Sequence, residues 1–216
     1  MPRERPGKPP TSTTGRVPAN KGQRYPAEPL SADEMQGLIK GCSHKAPTGI
    51  RNRALLVLLY RAGLRISEAL ALKPKDLDLA TGAVRVLHGK GDKARVVGLD
   101  PGALAVIARW VDRRALLGVG NRAPLLCTLK GATVKDAYVR KLMKRLGHRA
   151  GIEKRVHPHG LRHTHAAELA REGTPMNVIQ AQLGHSSLAT TDRYLRHVAP
   201  AELVKLMQAR QWTEPA

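Results

Sequence analysis

The 216-residue chain has no phenylalanine, four tyrosines and two tryptophans, and aromatic residues make up only 3% of it. That scarcity excludes a protein that grips single strands by stacking bases on a row of rings. Its two cysteines, Cys42 and Cys127, have no CxxC spacing, so neither a disulfide framework nor a thiolate zinc site is encoded, and two packed, reduced thiols are expected. There is no apolar run of about 18 residues to span a bilayer, and the N-terminus lacks a signal-peptide pattern. Carboxylates are also scarce. Asp and Glu number 17 against 37 Lys and Arg, giving a formal charge of +20. Such an imbalance exceeds what solubility needs and points to a polyanionic partner, for which duplex DNA or structured RNA fits better than a membrane surface. A cytoplasmic, nucleoid-associated location is expected.

Residues 1–29 hold seven of the fifteen prolines and six basic residues against two acidic ones, with no apolar periodicity. They read as a disordered or extended basic arm. Residues 30–216 read as one mainly α domain with a C-terminal helix. Ser31 and Glu34 stand at capping-box spacing ahead of Met35, Leu38 and Ile39, so the first helix starts there. The stretch "RNRALLVLLYRAGLR" is an apolar helix that Gly63 ends in a left-handed cap. A short helix from Ile66 to about Leu72 closes at Pro74. In "AVRVLHGKGDKARVVGL", two β-branched runs flank a Gly-Lys-Gly-Asp turn, as in an antiparallel hairpin. Asp100 and Pro101 suit N-cap and N1 of the next helix. Thr133 with Asp136 is expected to open a very basic helix bearing Lys135, Arg140, Lys141, Lys144 and Arg145. Five cations with one carboxylate fit a face that tracks phosphates better than an ordinary solvated one.

The stretch "HPHGLRHTHAAELA" is the densest in chemistry. Four histidines in nine residues suggest a metal, yet in a helix beginning near His159 only His159, Arg162 and His163 share a face. A guanidinium within the cluster repels a cation, and Glu168 lies on the far side from His159. The trio suits a phosphodiester, with Arg162 forking onto its oxygens and His159 donating beside it. Other candidates are individually plain. Arg65 could simply pair with Glu68, Lys90 could be a solvated turn lysine, His185 a surface histidine before a cap, and Tyr194 a packed ring.

Order and spacing change that picture. "AGLRISE", "GKGDKAR", "HGLRH", "LGHSS" and "TTDRYLRH" resemble, in sequence, the five boxes of the tyrosine recombinase or phage integrase family. The likeness runs from about Ser31 to Met207 and implies that family's catalytic-domain fold, mainly α with a small antiparallel hairpin or three-stranded sheet. It implies a site-specific recombinase in which Tyr194 attacks the scissile phosphate, forming a 3′-phosphotyrosyl bond without ATP. Arg65 and Arg162 would hold the phosphate and Lys90 would protonate the 5′ oxygen. His159 would assist deprotonation of Tyr194, and His185 would hydrogen-bond the phosphate. No metal and no cofactor are expected. Lys93, Arg95 and His163 join the five cations of the basic helix as expected DNA contacts. Expected partners are a double-stranded recombination site, further copies of the chain in a tetrameric synapse, and a directionality factor. The family's N-terminal core-binding domain has no counterpart in this sequence, which suits either a minimal recombinase or a catalytic fragment. A type IB topoisomerase and a non-recombining DNA-binding regulator are the alternatives.

Overall fold

The computed structural model describes residues 28–87 and 94–184. Its order is α1 (Ala32–Lys40), α2 (Pro47–Tyr60), α3 (Ile66–Ala71), a 3-10 turn (Pro74–Asp76), β1 (Ala83–Val86), β2 (Arg95–Gly98), α4 (Pro101–Leu116), α5 (Asp136–Arg149), α6 (Pro158–Arg171) and α7 (Met176–Leu183). Helix α2 is the hub. Residues Ala54–Leu59 are all buried, and α2 packs on both α4 and α6. A helix apolar on every side can only be satisfied inside the core.

The expected caps explain most of the boundaries. Ser31 Oγ accepts from Glu34 N at 3.1 Å, and Glu34 Oε2 accepts from Ser31 N at 2.7 Å. Asp100 Oδ1 accepts from Ala103 N at 2.9 Å, with Pro101 at the first helical position. Gly63 takes φ 60°, and Leu64 N reaches back to Leu58 O, which satisfies a carbonyl at the end of α2. Two starts differ from the expectation, those of α2 and α5, while that of α6 agrees with it. Helix α2 begins at Pro47, upstream of Arg51, because Ser43 Oγ accepts from Ala46 N and the proline needs no amide partner. Helix α5 begins at Asp136 with Lys135 before it and no side-chain cap, so Thr133 does not serve as one. Helix α6 begins at Pro158, with His157 Nδ1 accepting from Gly160 N at 3.2 Å.

Strands β1 and β2 pair antiparallel, with Val84 opposite Val97 and Val86 opposite Arg95; they form a two-stranded sheet among the described residues. Alternation sends Val84, Val86, Val97 and Arg95 to one face. Helix α7 packs on α6 through a small cluster of its own, Ala166, Ile179 and Leu183, and also lies against β2. Cys42 and Cys127 are buried free thiols. No described helix is long and apolar enough to cross a membrane.

Candidate active site

Arg65 precedes α3, and Glu68, the third residue of that helix, folds back on it. Arg65 N donates to Glu68 Oε2 at 2.8 Å and Arg65 Nη1 to Glu68 Oε1 at 2.8 Å. The ion pair read from i,i+3 spacing therefore forms, but Glu68 does not belong to Arg65 alone. Arg95 forks onto the same carboxylate, with Nη1 to Oε1 and Nη2 to Oε2 both at 2.9 Å. The Glu68 side chain is only 1% exposed. Burial opposes its charge, yet hydrogen bonds from Arg95 and then Arg65 outweigh that and hold its pKa down at about 2. Two guanidiniums on one carboxylate leave one positive charge over, which suits an anion placed beside Arg65.

Arg162, on the first turns of α6, is 2% exposed. Its Nη1 donates to Gly63 O at 2.5 Å and its Nη2 to Leu183 O. Gly63 is needed here for space as well as for its positive φ. A Cβ at that position would lie 2.7 Å from His165 Cδ2 and 2.8 Å from Leu183 Cδ2. One turn away, the rings of His159 and His163 meet edge to face with centroids 4.3 Å apart. The protein packed around His159, then the charges of Arg162, His157 and Arg65, lower its pKa. A neutral imidazole at pH 7 can accept a proton. His165 points the other way, into the core at 4% exposure, as its place on the helix predicts. Glu168 is also turned away from His159 and accepts from Tyr60 Oη at 2.5 Å and from Arg61 Nη1 at 3.2 Å.

A groove of about 640 Å³ opens beside this cluster, lined by His159 and Ile66 together with Arg140, Lys144, Lys154 and Arg155. The basic helix thus divides its cations. Arg140 and Lys144 line the groove, though Arg140 is shared with Asp136 at 2.9 Å. Arg145 and Arg149 lie toward α1, close enough to Cys42 to oppose the rise that burial causes in its pKa. Lys135 and Lys141 are exposed. Arg95, expected among the DNA contacts, turns inward instead. Strand alternation puts it on the face of buried Val97, where Glu68 takes its charge. Lys90, Lys93, His185 and Tyr194 lie outside the described residues. No group of three or more His, Cys, Asp or Glu side chains that could hold a metal occurs among the described residues.

Sequence reading missed the second arginine on Glu68 and the role of Gln182, whose amide bonds both backbone groups of Gly98. The first was within reach, since Arg95 stands two residues before Val97 on the inward face. The second had no local signal.

Two guanidiniums at the end of one helix, a neutral imidazole next to them and a cationic groove leading away can together hold a phosphodiester and take a proton beside it. The chain belongs to the phage integrase family, whose model matches residues 28–201. It is 38% identical over 176 residues to tyrosine recombinase XerD of Ralstonia nicotianae, covering 81% of this chain and 57% of that protein. With tyrosine recombinase XerC of Xanthomonas campestris pv. campestris it shares 37% identity over 199 residues, 92% of this chain and 60% of that one. The chain thus spans well under two thirds of these relatives' length. Among solved structures it resembles XerA recombinase, with a TM-score of 0.75 and 31% identity over 91% of this chain and 70% of the other. It also resembles XerH site-specific recombinase bound to palindromic difH substrate in a post-cleavage complex, with a TM-score of 0.70, 30% identity, and coverage of 86% of this chain and 54% of the other. The fold is that of tyrosine recombinase catalytic domains.

Proposed function

We propose that the protein is a site-specific DNA recombinase that cleaves and rejoins duplex DNA through a 3′-phosphotyrosyl intermediate. The observation that carries this reading is the pairing of Arg65 and Arg162. Both hook onto consecutive carbonyls at the end of α7, beside His159, in a chain whose family relatives are tyrosine recombinases. In this reading the scissile phosphate sits against the two guanidiniums, which stabilise the charge that builds on its non-bridging oxygens. Tyr194 attacks phosphorus, its proton passing toward neutral His159, while the bond to the 5′ oxygen breaks and Lys90 protonates the leaving alkoxide. His185 hydrogen-bonds the phosphate. The new ester conserves the energy of the old one, so a 5′-hydroxyl from a second strand reverses the step without ATP. Fixed cations supply the charge stabilisation that Mg²⁺ supplies elsewhere, and covalent-complex formation is expected to survive EDTA. The groove beside His159 takes the neighbouring phosphates, and several copies of the chain assemble on one site.

The test is a pool of nicked duplexes carrying randomised sequence on both sides of the nick, incubated with the protein and resolved by denaturing electrophoresis. Cleavage releases a short strand that diffuses away, so an adduct accumulates on a subset of sequences. Sequencing the trapped DNA reads the site. Trapping with no sequence preference, together with relaxation of any supercoiled plasmid, would assign topoisomerase activity instead. Tight binding with no adduct would make the protein a regulator.

A further inference from the structure

Three consecutive carbonyls end α7, and each accepts from a different arginine. Arg95 Nε donates to Gln182 O at 3.3 Å, Arg162 Nη2 to Leu183 O, and Arg65 Nη2 to Gly184 O at 3.4 Å. The last carbonyls of a helix lack intrahelical donors and carry the negative end of its dipole, so they attract and orient cations. Arg65 is also held by Glu68 and Arg162 by Gly63 O, and the backbone at the end of one short helix is the element that both guanidiniums share.

Besides the packing of Ile179 and Leu183 on α6, two polar side chains tie that helix end to β2, and neither lines the groove. Gln182 takes the place of a neighbouring strand at the edge of β2. Its Oε1 accepts from Gly98 N at 3.0 Å and its Nε2 donates to Gly98 O at 3.0 Å. Arg95 ties the same helix end to the first residue of β2 through Gln182 O, while its fork on Glu68 ties it to α3. Its stem lies directly under Gly184, where a Cβ would come within 2.7 Å of Arg95 Cδ.

We propose that Arg95 and Gln182 are positioning residues for phosphate activation: they clasp the end of α7 to β2 so that its carbonyls hold Arg65 and Arg162 at the separation the scissile phosphate requires. The inference rests on the reading that these two arginines bind that phosphate. Displacing a catalytic group by about 1 Å can cost up to a hundredfold in rate, so losing the clasp is expected to slow cleavage without removing a group that touches DNA.

The full chain and three variants, Arg95→Lys, Gln182→Ala and Arg65→Ala, are compared on the nicked duplex trapped by the unaltered protein. Two forms of the duplex are used, one with the ordinary scissile phosphodiester and one with a methylphosphonate there. A methylphosphonate lacks one anionic oxygen and needs less cationic stabilisation. Arg95→Lys and Gln182→Ala are expected to slow adduct formation on the phosphodiester by about ten- to a hundredfold and to recover most of that loss on the methylphosphonate. Arg65→Ala should show the same recovery. No loss in the two clasp variants, or an equal loss on both duplexes, overturns the clasp while leaving the functional reading intact. If Arg65→Ala itself shows no recovery, the reading that seats the phosphate at Arg65 fails, and the clasp falls with it. Should Arg95→Lys not fold, Gln182→Ala decides the matter, because alanine is a good helix former and the change removes only the side-chain hydrogen bonds to Gly98 and to Ala62 O.

Discussion

Of the four tyrosines, two have hydroxyls already committed within the fold. Tyr60 Oη donates to Glu168, and burial together with that carboxylate pushes its pKa up to about 12. Tyr138 Oη accepts from Arg51 Nη2 at 2.8 Å and from Asn52 Nδ2 at 3.0 Å. Tyr194→Phe is expected to abolish the covalent adduct while changing DNA affinity by less than about 1 kcal/mol, the net worth of one ordinary hydrogen bond. Tyr138→Phe should keep the adduct and lower stability by roughly 1 to 2 kcal/mol, because it leaves buried donors of Arg51 and Asn52 short of an acceptor. Adduct formation by Tyr194→Phe, seen on the same denaturing gel, rejects the assignment.

His165 carries the clearest pH dependence. Burial, then Arg61 and Arg162, lower its pKa from 6.5 to about 4. As pH falls from 6.5 toward 4, the unfolded chain binds a proton there that the folded chain refuses, so this residue makes the fold progressively less stable in acid. The effect is limited to about 3 kcal/mol for a shift of that size. Glu68 acts in the same direction lower down. Its folded pKa of about 2 lies below its ordinary 4.5, so its stabilisation is full above 4.5 and is lost as pH falls toward 2. Urea unfolding of His165→Leu should show a flatter stability profile between pH 6.5 and 4. An unchanged slope would mean that His165 is protonated inside the fold.

At the scale of the element, α5 decides how the charge is used. Val139, Leu142, Met143 and Leu146 hold one face of the helix in the core, which forces its cations to the remaining arc. Within that arc Lys144 faces the groove, Arg140 is partly occupied by Asp136, and Arg145 lies toward α1. Lys144→Ala should therefore weaken DNA binding and reduce the log-log salt slope by about 1, as losing one phosphate contact does. Arg145→Ala should change the slope less. Equal effects from the two, measured by fluorescence anisotropy across a salt series, would mean that DNA covers the whole exposed arc.

For the whole molecule, the segment at residues 28–34 matters because it is pinned next to the groove. Leu30 N donates to Thr164 Oγ1 at 2.9 Å, two residues beyond Arg162, and Leu30 itself is buried. Lys154, on the groove, bonds Pro29 O at 3.3 Å and Glu34 Oε2 at 3.0 Å. A chain beginning at residue 28 should keep its thermal midpoint while showing a shallower salt dependence, since the basic residues of the first 27 positions are gone. A chain beginning at residue 32 should lose roughly 2 kcal/mol or more, from the burial of Leu30 and the capping box of α1. Equal midpoints for the two truncations would show that the pin contributes nothing.

The sequence alone determined whatever is set by local spacing. Ser31, Gly63 and Asp100 mark helix ends because caps are bonds between near neighbours, and the β-branched runs around residues 83–98 mark a hairpin by their alternation. The order of five short boxes named the family, and helical geometry already grouped His159, Arg162 and His163 while turning His165 and Glu168 away. Only the tertiary structure decided what is set by contacts between distant segments. Local sequence leaves Arg95 among the surface cations, whereas β2 places it beside Val97, and Gln182 has a partner only because α7 lies along β2. Arg65 and Arg162 stand 97 positions apart in the chain. A third segment, the end of α7, brings them together, and no periodicity within any one helix can encode that meeting.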